Sequence, residues 1–270
     1  GLLGVAFLGV DVLEQLLRVA AGGLGRLGRE VEAAAHQLGK TRPRRVERLP
    51  LAGDEVVLDA GCGSGRVTLE LVRRLPRGRV YGVDAAPSMV AHAHEALGGR
   101  ATILCQDLAE LALPETVDAI FSNATFHWIA DHDALFAALH RSLRAGGRLV
   151  AQCGGRGNID AFRRLADEVA REDPFARHFA DWRGPWNYAG PDETEERLAR
   201  AGFRAVRCWL EPKSVTPSDG RAFARTVCLV RHLDLVPDEL QEAFIDRVLH
   251  RAGDPLALEY VRLNMAARRP

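Results

Sequence analysis

From Glu55 onward, short apolar runs alternate with stretches whose apolar residues recur at helical spacing. Val56-Val57-Leu58 is the first run, followed by Asp59 and a glycine loop, Gly61-Cys62-Gly63-Ser64-Gly65. Val67, Leu69, Leu71, Val72 and Leu75 then mark a helix that Pro76 and Gly78 end. The pattern repeats. Arg79–Val83 predicts a second strand ending at Asp84, Pro87 opens a helix through about Leu97, and Gly98-Gly99 stops it. Ala101–Cys105 predicts strand three, before Gln106-Asp107, and Val117–Phe121 predicts strand four, before Ser122-Asn123. A helix over Asp133–Leu143 leads through Ala145-Gly146-Gly147 into a fifth strand, Arg148–Cys153. Strands that are continuous apolar runs, alternating with helices, predict a parallel sheet buried on both faces.

The flanks differ. Val12–Ala20 and Arg29–Leu38 have helical spacing, and Pro43 and Pro50 punctuate the approach to the first strand. After Gly154 the pattern loosens into a helix over Phe162–Ala170 and an irregular, aromatic-rich stretch, Phe175–Tyr188. A helix over Glu193–Ala201 precedes an alternating strand, Phe203–Leu210. Asp219–Leu233 and Pro237–Arg251 read as helical, and Leu258–Ala267 has the composition of a last strand. These patterns divide the chain into an N-terminal helical segment, 1–50, and a domain over 51–270 whose helical insert, about 212–255, caps the ligand cleft.

Parallel sheets bind ligands at the carboxyl ends of their strands. The residues there are Asp59/Gly61, Asp84, Asp107, Asn123 and Gln152. Glycines in a strand-to-helix turn let backbone approach a ligand closely, and the helix N-terminus offers free N–H donors. The loop also discriminates between ligands. A dinucleotide fingerprint wants glycine where Arg66 stands, and no Gly-Lys-Ser/Thr ending marks a phosphate loop. Asp59 beside the loop would repel a pyrophosphate but suits an ammonium group, directly or through water. S-adenosylmethionine (SAM) carries an ammonium, a carboxylate, a sulfonium and an adenosine, and no phosphate. Asp84 is placed to accept from both ribose hydroxyls and Asp107 from the adenine amino group. Read alone, such an acid, Asp107 above all, is also a candidate helix N-cap, but three carboxylates after three successive strands, with the glycine loop, are a much more specific set.

Composition narrows the partners. Lys+Arg and Asp+Glu both number 36, a balance that argues against nucleic acid. The five cysteines form no CxxC pair and no zinc-like spacing, which predicts reduced, mostly buried thiols, no metal and a cytoplasmic setting. Gly1–Val10 is apolar but too short to span a bilayer and lacks a basic leader, so no membrane partner and no signal peptide are expected. A small-molecule substrate and a monomer or weak homodimer are expected.

In order and spacing, VLDAGCGSGRVT, VYGVDAAPSMV, CQDL, FSNATFHW and LRAGGRLV resemble the successive motifs of class I SAM-dependent methyltransferases. SNATFHWIADH, together with Lys40-Thr41-Arg42-Pro43, resembles the trans-aconitate methyltransferase-like small-molecule group within it. The resemblance implies a Rossmann-like, doubly wound α/β fold with a mostly parallel seven-stranded sheet, an antiparallel last strand and a helical cap insert. It implies SAM as cofactor, S-adenosylhomocysteine as product, and cofactor contacts from Asp59, Gly61, Cys62, Gly63, Asp84, Ala85, Met89, Asp107, Leu108 and Asn123.

For the chemistry, a carboxylate acceptor is already ionised at neutral pH and needs only alignment. A hydroxyl, amine or acidic carbon of a natural product or quinone needs a base, for which His127 is the candidate. Asn123 and His127 are the candidate catalytic residues, and Trp128 and Trp186 candidate substrate walls. Arg221 and Arg225, four apart, would share a helix face and point into the cleft as a carboxylate clamp. A SAM-binding regulatory module without turnover is the alternative outside the enzymes.

Overall fold

The computed structural model describes residues 46–184 and 186–270; the helices expected before residue 40 and the Lys40–Pro43 segment lie outside them. Seven strands form one sheet in the order β3-β2-β1-β4-β5-β7-β6. The strands are β1 (Val56–Ala60), β2 (Arg79–Asp84), β3 (Thr102–Cys105), β4 (Val117–Asn123), β5 (Leu143–Gly154), β6 (Arg204–Val215) and β7 (Leu258–Arg268). β1 to β5 pair in parallel, and β7 runs antiparallel to both of its neighbours, β5 and β6. β1 lies between β2 and β4, so the strand order reverses there and a crevice opens above its carboxyl end.

Three helices connect the parallel strands: α1 (Arg66–Arg74), α2 (Pro87–Leu97) and α3 (His132–Ser142). Local chemistry sets their ends. Gly65 enters α1 at φ 80°, Pro87 occupies the first turn of α2, and left-handed Gly98 closes it. Asp131 caps α3 by accepting from the Ala134 N–H at 2.9 Å. Val57, Leu58, Val83, Ala119 and Ile120 are fully buried, as a sheet covered on both faces requires. One face packs with α3 and α5 (Pro191–Arg200) into the largest core; the other packs Val57, Ala119 and Phe121 against Leu71 of α1 and Leu75 just after it.

Two strands are longer than the sequence pattern predicts. β5 begins at Leu143 and includes the Ala145-Gly146-Gly147 turn, because Gly146 and Gly147 exchange backbone hydrogen bonds with Arg269. β6 runs to Val215, past the expected Leu210, because Val215 still pairs with Leu258 of β7. The insert rises from this two-stranded extension. Its first helical stretch is broken: α6 (Gly220–Phe223) passes through a π-turn, Ala224–Cys228, into α7 (Val230–Leu233), before the longer α8 (Asp238–Ala252). A second core joins the insert to α4 (Asp160–Ala170), to Phe175 and Phe179, and to Tyr260 of β7.

Candidate active site

The glycine loop is held from both sides. Gly61 and Cys62 both donate N–H to the Val83 carbonyl, at 2.8 and 2.9 Å. A Cβ on Gly61, at φ 80°, would overlap the Thr125 side chain from the loop after β4, and the Thr125 hydroxyl donates to the Gly61 carbonyl at 3.3 Å. The cofactor loop and the β4 loop are thereby one assembly. Gly63, also left-handed, faces open space. The Cys62 side chain turns away into a small apolar cluster with Ala93, Leu97 and Ile103, where burial pushes its thiol pKa up. Only its backbone is left to face a ligand.

The three acids differ in setting. Asp84 ends β2 and accepts from the Gly63 N–H at 2.8 Å and the Ala86 N–H at 3.0 Å. Two backbone donors orient the carboxylate and leave acceptor sites for a diol. Asp107 is exposed and caps a short 3₁₀ turn, accepting from the Ala109 N–H at 2.8 Å. Asp59 lies beneath the loop, 1% exposed, and accepts from the Thr68 hydroxyl at 2.7 Å. Burial, with a contribution from the Asp84 charge, pushes its pKa up to about 7. Such an acid ionises readily once a cation approaches. Ala85 is exposed on the turn after Asp84, Met89 is partly buried on α2, and Leu108 is buried beside Asp107. Open space at Gly63, a preset acid one strand away and a buried acid awaiting a cation together fit SAM.

The other half of the cleft starts at Asn123, which ends β4 in register with Gln152 of β5. His127 follows in the β4 loop, 7% exposed. Its Nδ1 accepts from the Gly154 N–H at 3.3 Å, so the neutral ring carries its proton on Nε2. Burial, with the nearby Arg262 and His132, lowers its pKa to about 3. A ring held neutral, with its free nitrogen already protonated, can donate to a ligand but cannot take a proton from one. The ring stacks on Tyr188, with centroids 5.7 Å apart, and Tyr188 stacks on Trp186 at 5.8 Å. Trp186 continues to the exposed Trp128 at 6.1 Å. The Asn187 N–H donates to the His127 carbonyl at 2.9 Å, tying this aromatic segment to the β4 loop. A cavity of 250 Å³ opens on the far side of Trp186, between it and α4.

The arginines are placed differently from the sequence expectation. Arg221 stands on α6 and Arg225 in the π-turn that follows, and the two still reach one acid, Glu242. Arg221 pairs with Glu242 and Asp246 of α8, and Arg225 also meets Glu242, on the exposed side of the insert. Carboxylates of this chain therefore occupy the forks expected to clamp substrate. Sequence reasoning passed over Arg262, whose one signal was an arginine inside the last apolar strand. Among the described residues no helix is long and apolar enough to cross a membrane, and no group of His, Cys, Asp or Glu is arranged to hold a metal.

A family model described as a methyltransferase domain matches residues 58–151. Fold, site and family match define a class I SAM-dependent methyltransferase with SAM as cofactor. A trans-aconitate 2-methyltransferase of Methylobacterium nodulans is 38% identical over 255 residues, covering 85% of this chain and 93% of the relative. The chain therefore belongs to the trans-aconitate methyltransferase-like group. An uncharacterized methyltransferase of Schizosaccharomyces pombe is 33% identical over 166 residues, 58% of this chain and 62% of that protein. Among solved structures, a Haemonchus contortus phosphoethanolamine N-methyltransferase in complex with S-adenosylhomocysteine superposes with a TM-score of 0.54 at 20% identity, over 86% of this chain and 52% of that one. At that identity the likeness is one of fold.

Proposed function

We propose that the chain transfers the SAM methyl group to a carboxylate of a small organic acid, giving a methyl ester. One observation carries the reading: the side chain best placed to be a base, His127, accepts a backbone N–H on Nδ1 and is held neutral by burial. With no proton acceptor there, the nucleophile has to arrive ionised, as a carboxylate does at neutral pH. The 38% identity to a trans-aconitate 2-methyltransferase supports the same class of acceptor.

When bound, SAM supplies a methyl carbon made electrophilic by its sulfonium. The residues position it. Asp84 accepts from the ribose hydroxyls, Gly61 and Gly63 let the loop backbone close on the methionyl part, and Asp59 balances its ammonium. The backbone of Cys62 and the side chains of Ala85, Met89 and Leu108 border the adenosine, and Asp107 accepts from its amino group beyond its cap bond. Asn123 fixes the approach to the methyl group. The His127 Nε2–H donates to the acceptor and orients it without removing a proton. Tyr188, Trp186 and Trp128 wall the acceptor from water, which preserves the alignment on which the rate depends.

Incubation with SAM and a panel of di- and tricarboxylic acids, alcohols, amines and phenols tests the reading. Release of S-adenosylhomocysteine with acids alone, and a product mass that reverts in mild alkali, is expected. Turnover confined to alcohols, amines or phenols overturns it. Tight SAM binding with no turnover in any class favours the regulatory alternative.

A further inference from the structure

The acceptor half of the cleft contains a guanidinium that no acid of the described residues holds in an ion pair. Arg262 lies on β7, opposite Gly154 of β5 and Glu211 of β6. Its guanidinium sits over the Tyr260 ring, 4.4 Å from the centroid, in surroundings buried enough to lower its pKa. Among the described residues it forms no ion pair and no side-chain hydrogen bond, and the one acid that acts on it, through space, is Glu211. The acid across the ladder, Glu211, is turned elsewhere: it accepts from Arg48 at 3.1 Å and from the Asn264 amide at 3.3 Å. Arg221 and Arg225, by contrast, are matched with carboxylates.

Its surroundings are those of a ligand site. The backbone opposite, Gly154, is the donor to His127, and a Cβ there would overlap Tyr188. The Arg262 charge is close enough to lower the His127 pKa. One pleat inward on the same face, the row Asn123–Gln152–Asn264 crosses three strands. Gln152 donates to Asn264 at 2.6 Å, and its own Oε1 is buried without a partner among the described residues. A partly buried guanidinium without a hydrogen-bonded acid and a buried amide oxygen without a donor both carry a free-energy cost in the unliganded protein. A bound acid removes the first, and a hydroxyl or protonated carboxyl removes the second. The fork of an arginine matches a carboxylate bidentately.

We propose that Arg262 is the residue that binds a carboxylate of the acceptor other than the one methylated. This rests on the carboxylate reading above and makes it more specific. Arg262 becomes the residue that separates polyacids from monoacids.

The test compares wild type, Arg262→Lys and Arg262→Met by steady-state kinetics on a tricarboxylic acid and a monocarboxylic acid of similar length. SAM affinity and melting temperature are measured alongside. Arg262→Met is expected to raise KM for the tricarboxylate roughly 10- to 100-fold. It should change kcat/KM for the monoacid less than about threefold and leave SAM affinity and melting temperature intact. Arg262→Lys keeps the charge without the fork, and should lie between. Equal losses on both acids, or a melting temperature lowered by several degrees in both variants, overturn the proposal in favour of a structural arginine. Binding of the tricarboxylate to the S-adenosylhomocysteine-loaded protein, by calorimetry, separates the two claims. If wild type binds it and Arg262→Met does not, yet no acid is methylated, the carboxylate reading fails and the Arg262 site stands. Equal binding by both proteins sinks the Arg262 assignment whatever the acceptor proves to be.

Discussion

The two halves of the cleft are built by opposite means. The cofactor half uses residues close in sequence, and its polar groups are already engaged. Asp84 sits on two backbone N–H groups, Gly61 and Cys62 donate to one carbonyl, and Asp59 holds the Thr68 hydroxyl. The acceptor half gathers residues from the β4 loop, the aromatic segment before α5, and β7, and among the described residues it leaves a guanidinium without an ion pair and an amide oxygen without a donor. Preset donors and acceptors suit a ligand that is the same at every turnover. Unmatched groups suit a ligand whose charge is the basis of selection, because only the correct molecule relieves them.

The largest predicted effect falls where the halves join. Gly61→Val places a branched side chain on the Thr125 methyl and hydroxyl at a left-handed φ. SAM binding should weaken at least ~100-fold, about 2.8 kcal/mol, by calorimetry on protein whose melting is still cooperative. Retained affinity would show that the two loops are not one unit.

Asp84→Ala tests the cofactor half alone. It should weaken SAM at least ~tenfold, roughly 1.4 kcal/mol, without changing KM for the acid. A change confined to the acid would place Asp84 on the wrong side of the comparison.

Asp59 should make SAM affinity depend on pH. In the unliganded protein its pKa is raised to about 7, so the proton is held until that pH. Binding a cation favours the ionised form and releases the proton, so affinity rises with pH, roughly tenfold between pH 6 and 8. The same upward shift makes the unliganded fold bind more protons than the unfolded chain between the ordinary carboxylate value of 3.8 and about 7, so its stability falls as pH rises through that range and levels off above it. Asp59→Asn should abolish the slope in calorimetry, and a slope that survives would assign the proton to another group.

Smaller still is the expected effect at His127. With its pKa lowered to about 3, kcat at saturating SAM and acid should stay flat from pH 6 to 9, and His127→Gln should lower it less than ~threefold. A rise through the histidine range with a hundredfold loss in the variant would instead identify a base. The least effect belongs to the exposed pairs of the insert. Arg221→Ala with Arg225→Ala should leave KM for the acid within about twofold and cost no more than ~1 kcal/mol of stability by denaturant titration.

The sheet, the turn of the glycine loop and the reading of SAM over a dinucleotide are all legible in the sequence. Those rest on signals only a few residues apart: an apolar run, glycines that the turn requires, and an acid at the next strand end. Backbone geometry makes such signals local, so Gly61, Gly63 and Asp84 could be placed without tertiary contacts. The charge partners follow from the packing of distant elements. The spacing of Arg221 and Arg225 reads as a clamp, and they do share a face, but α8 brings Glu242 and Asp246 against it. Arg262 looked like one more residue of a strand until the antiparallel pairing set it opposite Gly154 and beside His127. Likewise the state of His127 follows from an N–H of β5, 27 positions away in the chain. Whether an ionisable side chain is matched or unmatched depends on what other elements bring within a few ångströms, and no spacing along one element encodes that distance.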